Sequence, residues 1–566
     1  MMPNSFRVQI GEVPGPLTDD TRVFDNVSLE VRALNPRHIS VQTSDQGFAV
    51  FMGEAHEKYQ DINLSPAGTT LTYTHSDRTL TVKCDRLGTA ILFWKRVGNG
   101  ICLSNRLENL LDAASEPDWC SIQQYLHTGF TIGAYTFFKN IFQTEQNQEL
   151  TVQVYKTGNI QVSSGLRAVH GREQPISNEA LMAQIAERLS RRLNGISTSV
   201  LMMSAGWDSR TLLMEGNTPI SGAYSHGDLS SREIGLARTL SGNERLDHLF
   251  SDVQSAPINN SLIDKMMTEL GFGIFPIWYL AANNVQSWKN APLMSGVLGE
   301  LLGGHYGLMA WGSRRQKILS SMLLVSDVFI KEGRIRSMID QYATPPKTHW
   351  FISDTGQHML DGHRDETKQR CLEAINQCYN RTESWQRAIE EFNISHRGRQ
   401  YILKQAQAAS STVGYSIPFA DEPLTDLVRL LGFQHRVHNK ANQRILKQKR
   451  PQLLNEPMAA TLVAAKHPIV IQEVSRFIRV FAENMTRLRG KEVPKLGWFN
   501  YEHLYQGNIL NEMVDSLKSD FWDRPKMHCT LSTNTDNAID AGSTLDMICK
   551  IKTVDYYLQN ASQTPT

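Results

Sequence analysis

The stretch Ser199–Met214, S-V-L-M-M-S-A-G-W-D-S-R-T-L-L-M, decides how the chain is read. An apolar run containing β-branched Val200 is long enough for a buried parallel strand. It breaks at Ser204-Ala205-Gly206 and resumes with helical spacing at Thr211, Leu212 and Leu213. A strand, a tight loop of small residues and a helix start aim successive backbone N–H groups and the positive helix end at one spot, which suits a phosphate. The small side chains at Ser204, Ala205 and Gly206 let an anion reach the backbone, and Ser204 and Ser209 add hydroxyl donors. Asp208 is suited to hold the Mg²⁺ that accompanies a nucleotide phosphate. The same residues also describe an ordinary strand-to-helix turn capped by Asp208.

Around this stretch lies a chain of 566 residues, 41% hydrophobic and 20% charged, ordinary for a soluble enzyme of roughly two to four domains. A net charge of +1 points to neither nucleic acid nor a membrane as partner, so any anion site is local. The seven cysteines (84, 102, 120, 371, 378, 529, 549) are scattered and never in C-x-x-C spacing, which suggests reduced thiols in a cytoplasmic protein. The N-terminus M-M-P-N-S-F-R-V-Q-I has no apolar signal region. No window approaches the 18 or so apolar residues of a membrane span.

From about residue 5 to 160, short alternating segments (Phe6–Ile10, Gly47–Phe51, Thr70–Thr74, Ala90–Trp94, Leu150–Tyr155) predict an antiparallel β-rich unit. The polar G-R-E-Q-P-I-S-N-E run reads as a linker, and Ser177-Asn178-Glu179-Ala180 opens an amphipathic helix with Leu181, Ile185, Leu189 and Leu193. Ile220–Ser225 predicts a second parallel strand, and Asp247-His248 closes the next β unit. Leu293–His305, L-M-S-G-V-L-G-E-L-L-G-G-H, places five small residues around Glu300 and describes a second backbone loop near an anion. Residues 315 to 410 read as helical and polar, and Val493–Trp498 sets Lys495 on a Pro- and Gly-flanked loop, a mobile electrophilic partner.

S-A-G-W-D-S resembles the S-G-G-x-D-S pyrophosphate loop of the ATP pyrophosphatase superfamily, and the flanking chain resembles the asparagine synthetase family, which includes β-lactam synthetases and lasso-peptide cyclases. It is not a Walker loop, because no Lys follows the Gly. Ala205 replaces the family's first Gly, which is tolerable where φ is negative. Cys84–Trp94 and Ile101–Leu111 resemble the family's glutamine amidotransferase domain. The loop at Ser295, Gly296 and Gly299 resembles S-G-x-G-x-D-E-L-F-G-G-Y, one residue shorter and with Glu300 as the second acidic Mg²⁺ ligand. Pro418–Asp421 keeps a P-F-x-D core, yet Gly414 and Ser416 stand where Glu and Arg are expected. Asn439–Lys447 resembles the K-x-x-L-R helix, which makes Lys440 a second candidate catalytic lysine beside Lys495.

The resemblance implies a degenerate glutaminase-like domain over 1–165, α+β and antiparallel, and an α/β parallel-sheet ATP pyrophosphatase domain with helical additions over 176–566. Glutamine-hydrolysing relatives use a Cys after the initiator Met as nucleophile; here that place is Met2, whose thioether has no proton to lose. The implied site binds ATP and Mg²⁺ through Ser204, Ala205, Gly206, Asp208, Ser209, Tyr224, Ser295, Gly296, Gly299 and Glu300, the strand at Tyr224 receiving adenine. The implied reaction adenylates a carboxylate and passes it to an amine, as in lasso-peptide cyclases, with biosynthetic partner proteins. An ammonia-using synthetase acting on a small acid or sugar acid, and a non-catalytic nucleotide-binding protein, are the other readings.

Overall fold

The computed structural model describes residues 2–10, 21–24, 26–55, 66–156, 159–167, 176–216, 219–252, 258–304, 306, 332–491, 493, 508–533 and 541–563. The N-terminal strands are β1 (Ser5–Ile10), β2 (Thr21–Phe24), β3 (Val27–Arg32), β4 (Ile39–Ser44), β5 (Gly47–Gly53) and β6 (Gly68–Thr74). They continue with β7 (Thr79–Cys84), β8 (Phe93–Val97), β9 (Gly100–Ser104), β10 (Phe142–Gln143), β11 (Gln148–Val154) and β12 (Ile160–Leu166). They form two antiparallel sheets, β10-β8-β9-β1-β3-β2 and β12-β11-β7-β6-β5-β4. Alternation explains the packing: Phe6, Val8 and Ile10 from one sheet meet Val50, Leu71, Val82 and Val152 from the other in one core.

The expected strand at Ala90–Trp94 is displaced, beginning only at Phe93. The Asp85 carboxylate accepts the N–H groups of Leu87 (2.8 Å) and Thr89 (3.2 Å), which diverts the backbone into a turn before the strand can start.

The second half opens with the helix Asn178–Gly195, whose N-cap Ser177 accepts the N–H of Ala180, as its sequence predicts. Its central sheet comprises β13 (Ser199–Met202), β14 (Ile220–Gly227), β15 (His248–Asp252), β16 (Leu293–Met294) and β17 (Tyr415–Ser416). All neighbours are parallel and the order is β15-β14-β13-β16-β17. The chain winds outward from β13 through β14 and β15, then returns to add β16 and β17 on the other side. The order reverses between β13 and β16, and in open parallel sheets ligands bind outside the strand C-termini at such a point. Helical packing residues Leu189, Leu240, Val285 and Ile445 cover this sheet. The protein is therefore α+β, with an antiparallel β-rich N-terminal region and a helix-covered parallel sheet. Among the described residues no helix is long and apolar enough to cross a membrane.

The two halves share polar and apolar contacts. Glu54 beside β5 is fully buried, accepting the N–H groups of Ala67 (2.8 Å) and Ile417 (3.1 Å) and pairing with Arg192. A core cluster joins Ile122 and Leu126, in the N-terminal helix Trp119–Thr128, to Ile548 and Ile551 in the C-terminal helix Ala541–Gln563.

Asp421 ties helix Asn178–Gly195 to helix Glu422–Leu430. Its carboxylate accepts Arg188 Nε (2.7 Å) and Nη2 (2.6 Å), and caps the second helix through Leu424 N–H (2.9 Å). Asp421→Ala removes the bidentate carboxylate from a buried guanidinium and one helix cap, and is expected to cost about 3–5 kcal/mol. Glu187→Ala, which removes the exposed partner of exposed Arg191 on the same helix as Arg188, is expected to cost at most about 1 kcal/mol. Urea denaturation of the two variants beside the wild type measures the difference.

Candidate functional site

The loop after β13 runs Met203-Ser204-Ala205-Gly206 into a helix, Trp207–Leu212. That helix starts four residues before the apolar spacing suggests and lasts only six residues, so its dipole contributes little. Ala205 is outside the left-handed region, so its methyl group is accommodated in place of a glycine. The hydroxyls of Ser204 and Ser209 lie 2.9 Å apart, and Ser209 Oγ donates to the Ser204 carbonyl (2.9 Å). The loop is thus closed on itself.

Two of its backbone donors, Ala205 N–H and Gly206 N–H, are engaged within the protein. Ala205 N–H donates to Glu233 Oε1 (2.8 Å), and Gly206 N–H to Ser204 Oγ (3.1 Å). Glu233 opens the helix Arg232–Asn243, capped by Ser231. Burial pushes its carboxyl above the usual range, with the Ala205 N–H and the Arg210 charge pulling the other way. Arg210 is fully buried and donates to the carbonyls of Ala205 (3.2 Å), Leu453 (3.0 Å), Glu456 (3.0 Å) and Pro457 (3.0 Å). It anchors the loop's outer side to the segment 453–457.

The loop after β16 reaches the same place. Ser295 is buried; its N–H donates to the Ser416 carbonyl (2.9 Å) and its Oγ accepts Val297 N–H (3.2 Å). A Cβ on Gly299 would lie 2.5 Å from Asp208 Cγ, and one on Gly296 would lie 3.1 Å from Asp208 Cβ. Only glycines let this loop lie against Asp208. Leu298 adopts φ +68°, a left-handed conformation that costs a non-glycine residue about 1 kcal/mol or more. The turn that presents Glu300 is therefore strained. Glu300 heads the short helix Glu300–Gly303, and its carboxylate accepts a bond from Tyr306 Oη (3.4 Å).

Asp208 and Glu300 are both half-buried on one cleft. Burial first, and then the Glu300 charge, push the Asp208 carboxyl well above the ordinary carboxylate range. Burial also raises Glu300, opposed by its own N–H and by Arg397 from the π-helical segment Asn393–Ile402. Among the described residues no Lys or Arg forms an ion pair with either. Two hard oxygen ligands facing each other without a paired cation fit a divalent ion such as Mg²⁺.

The cleft, about 730 Å³ including its open part, is also lined by Ser204, Ser209, Tyr224, Glu233, Gly296 and Trp278. Tyr224, on β14, is buried and accepts a bond from Asn284 Nδ2 at its hydroxyl (2.9 Å). Edge-to-face contacts link the Tyr224, His226 and Trp278 rings, with centroids 5.7 and 6.4 Å apart. They form an apolar wall beside the acids.

Of the expected residues, the fold brings Ser204, Asp208, Ser209, Tyr224, Gly296 and Glu300 onto one cleft. Ala205, Gly206, Ser295 and Gly299 shape its loops instead of lining it. Lys440 is not among the lining residues, and its ammonium donates to the Gln434 carbonyl (3.1 Å). Position 440 starts a helix after two left-handed residues, His438 and Asn439, which turn the chain there. Lys495 lies outside the described residues. Trp278 and Gln405 were not legible as site residues, since strand order alone brings them to the cleft. Arg210 follows the D-S pair directly, and its place in the motif was an available signal. No protein-family model matches the chain, and no curated protein matches it.

A carboxyl whose pKa is raised in the folded state stabilises the fold below its unfolded pKa, and that stability is lost as pH rises through the raised value. At neutral pH the Asp208 and Glu300 charges therefore oppose folding of the metal-free protein. Asp208→Asn is expected to raise stability at pH 7 by on the order of 1 kcal/mol. Mg²⁺ or Mn²⁺ is expected to stabilise the wild type more at pH 8 than at pH 5, and Asp208→Asn hardly at all. Thermal unfolding with and without metal reads both effects.

Proposed function

We propose that the chain is an ATP-dependent, AMP-forming amide synthetase of the asparagine synthetase kind, without glutaminase activity. One observation carries this reading: the two small-residue loops, each bearing an acid, converge at the C-terminal ends of adjacent parallel strands where the order reverses. In the proposed reaction, a carboxylate oxygen of the acyl substrate attacks the α-phosphorus of ATP and pyrophosphate leaves. An amine then attacks the acyl carbon, AMP leaves, and the nitrogen loses one proton. The acyl donor is a peptide or amino-acid-derived carboxylate and the acceptor an amine carried by substrate, as in lasso-type macrolactam formation.

Each described residue has a part in this scheme. Ser204 and Ser209 turn their hydroxyls from one another to phosphate oxygens, and the Ala205 N–H exchanges its Glu233 contact for one. Mg²⁺ held by Asp208 and Glu300 would neutralise charge on the departing pyrophosphate. The Tyr224, His226 and Trp278 wall offers the adenine an apolar face and keeps water from it. Met2 supports an amine other than one cut from glutamine, since its N–H donates to Asn109 Oδ1 (3.0 Å) and its thioether is no nucleophile.

The Glu233 contact favours a second reading, a nucleotide-binding protein that does not catalyse, because a carboxylate already sits on the loop amide a phosphate needs. ATP–pyrophosphate exchange separates the two. With aspartate, glutamate, uronic acids and candidate peptides offered singly, carboxylate-dependent exchange is expected; a protein that binds ATP but never exchanges supports the second reading. Asp208→Ala is expected to lower exchange at least about 100-fold. Lys440→Ala is expected to stay within a few-fold of wild type, since Lys440 does not line the cleft and its ammonium bonds the Gln434 carbonyl.

A further inference from the structure

Helix Ile469–Leu488 is turned inside out. The side packed on the protein is polar: buried Gln472 donates to the His467 carbonyl (2.9 Å), Ser475 to that of Thr461, and Arg479 to that of Ala460 (2.9 Å). Arg479 and Arg232 both pair with Glu483, which ties the helix to the turn carrying Glu233. The side facing out is apolar: Val470, Ile471, Val474, Phe477, Ile478, Phe481, Met485 and Leu488 are all exposed, Phe477 by 73% and Leu488 by 81%. Nearly half of the described protein's exposed large hydrophobic side chains sit on this one helix.

The stripe has a repeat. Val470 recurs seven residues on as Phe477, Val474 as Phe481 and Leu488, and Ile471 as Ile478 and Met485. A seven-residue apolar repeat is the signature of a helix that packs along a second helix. With about 150–250 Å² for each bare aromatic side chain, Phe477 and Phe481 alone expose roughly 200–340 Å². The six aliphatic neighbours bring the stripe toward the roughly 800 Å² that one partner buries in a stable interface.

We propose that this helix is a homodimer interface, in which it packs antiparallel on the same helix of a second copy of the chain. Self-complementarity singles out that occupant. A two-fold axis crossing near Arg479 sets Val470 opposite Leu488 of the second copy and Phe477 opposite its Phe481. On one flank the same register sets Glu473 opposite Arg487, twice per dimer. A parallel pair would set Glu473 beside Ile478 and lose both ion pairs. A lipid surface fits less well, since such helices carry a polar face rich in Lys and Arg, whereas this one has three arginines and no lysine, and Glu483 neutralises Arg479.

Sedimentation velocity of the full chain across a concentration series tests this. The wild type is expected to dimerise, and Phe477→Glu/Phe481→Glu to be monomeric with an unchanged urea midpoint, since both positions are exposed. Glu473→Arg or Arg487→Glu alone is expected to weaken the dimer about five- to thirtyfold. The double charge swap restores it to within about twofold. A wild-type monomer at every concentration, a dimer indifferent to the Phe changes, or a double swap as weak as the single ones overturns the proposal. So does a monomer that pellets with phosphatidylglycerol vesicles through Phe477 and Phe481.

Discussion

The close approach of Gly299 to Asp208 is the constraint on which the site depends. A parallel sheet delivers β13 and β16 side by side, but neighbouring strand ends still stand about 4.8 Å apart, and loops with ordinary side chains diverge from there. At Gly296 and Gly299 the second loop has no Cβ to keep it away from Asp208. The left-handed turn at Leu298 then points Glu300 back at the first loop. Two carboxylates consequently share one cleft, and the Glu300 charge adds to burial in raising the proton affinity of Asp208. Strain and charge repulsion in one place are features that a fold sheds unless something that binds there offsets them.

The first loop shows the complementary arrangement. Several donors at the head of the loop are engaged, Ala205 N–H by Glu233, Gly206 N–H by Ser204 Oγ and the Ser209 hydroxyl by the Ser204 carbonyl. These bonds remove the penalty of leaving buried polar groups without partners, and they are short-range enough to be exchanged for a ligand with little movement. Arg210 makes that exchange local. Because it grips four carbonyls from the far side, the loop backbone stays put while the side chains on the cleft change partners.

Much of this was legible in the sequence, and what was not has a physical reason. The run Ser199–Met202 and the break at Ser204–Gly206 read correctly as strand and loop, because an apolar run bounded by small residues has few other solutions. Helix Asn178–Gly195 was legible from its cap and four-residue spacing. The same spacing misplaced the start of helix Trp207–Leu212, since Gly206 begins the helix with backbone geometry that no hydrophobic pattern records. The convergence of Asp208 with Glu300 rested on resemblance alone: no local signal says that residues so far apart in the chain meet, and sheet order supplies that information. The left-handed pair His438 and Asn439 before Lys440 likewise leaves no hydrophobic pattern to read.

The N-terminal sandwich follows from the same logic of burial. The unit is built into the second half through Glu54. That carboxylate is fully buried and bonds the Ile417 N–H just beyond β17, the strand beside β16. Ala55 N–H donates to the Tyr415 carbonyl (2.7 Å), so the segment after β5 runs along the edge that β17 would otherwise leave open. Gly414 adopts φ +75°, and a Cβ there would lie 2.9 Å from Arg37 Cβ. A larger residue at 414 would push the sandwich off that edge. The N-terminal unit thus supports the short strands that carry the cleft.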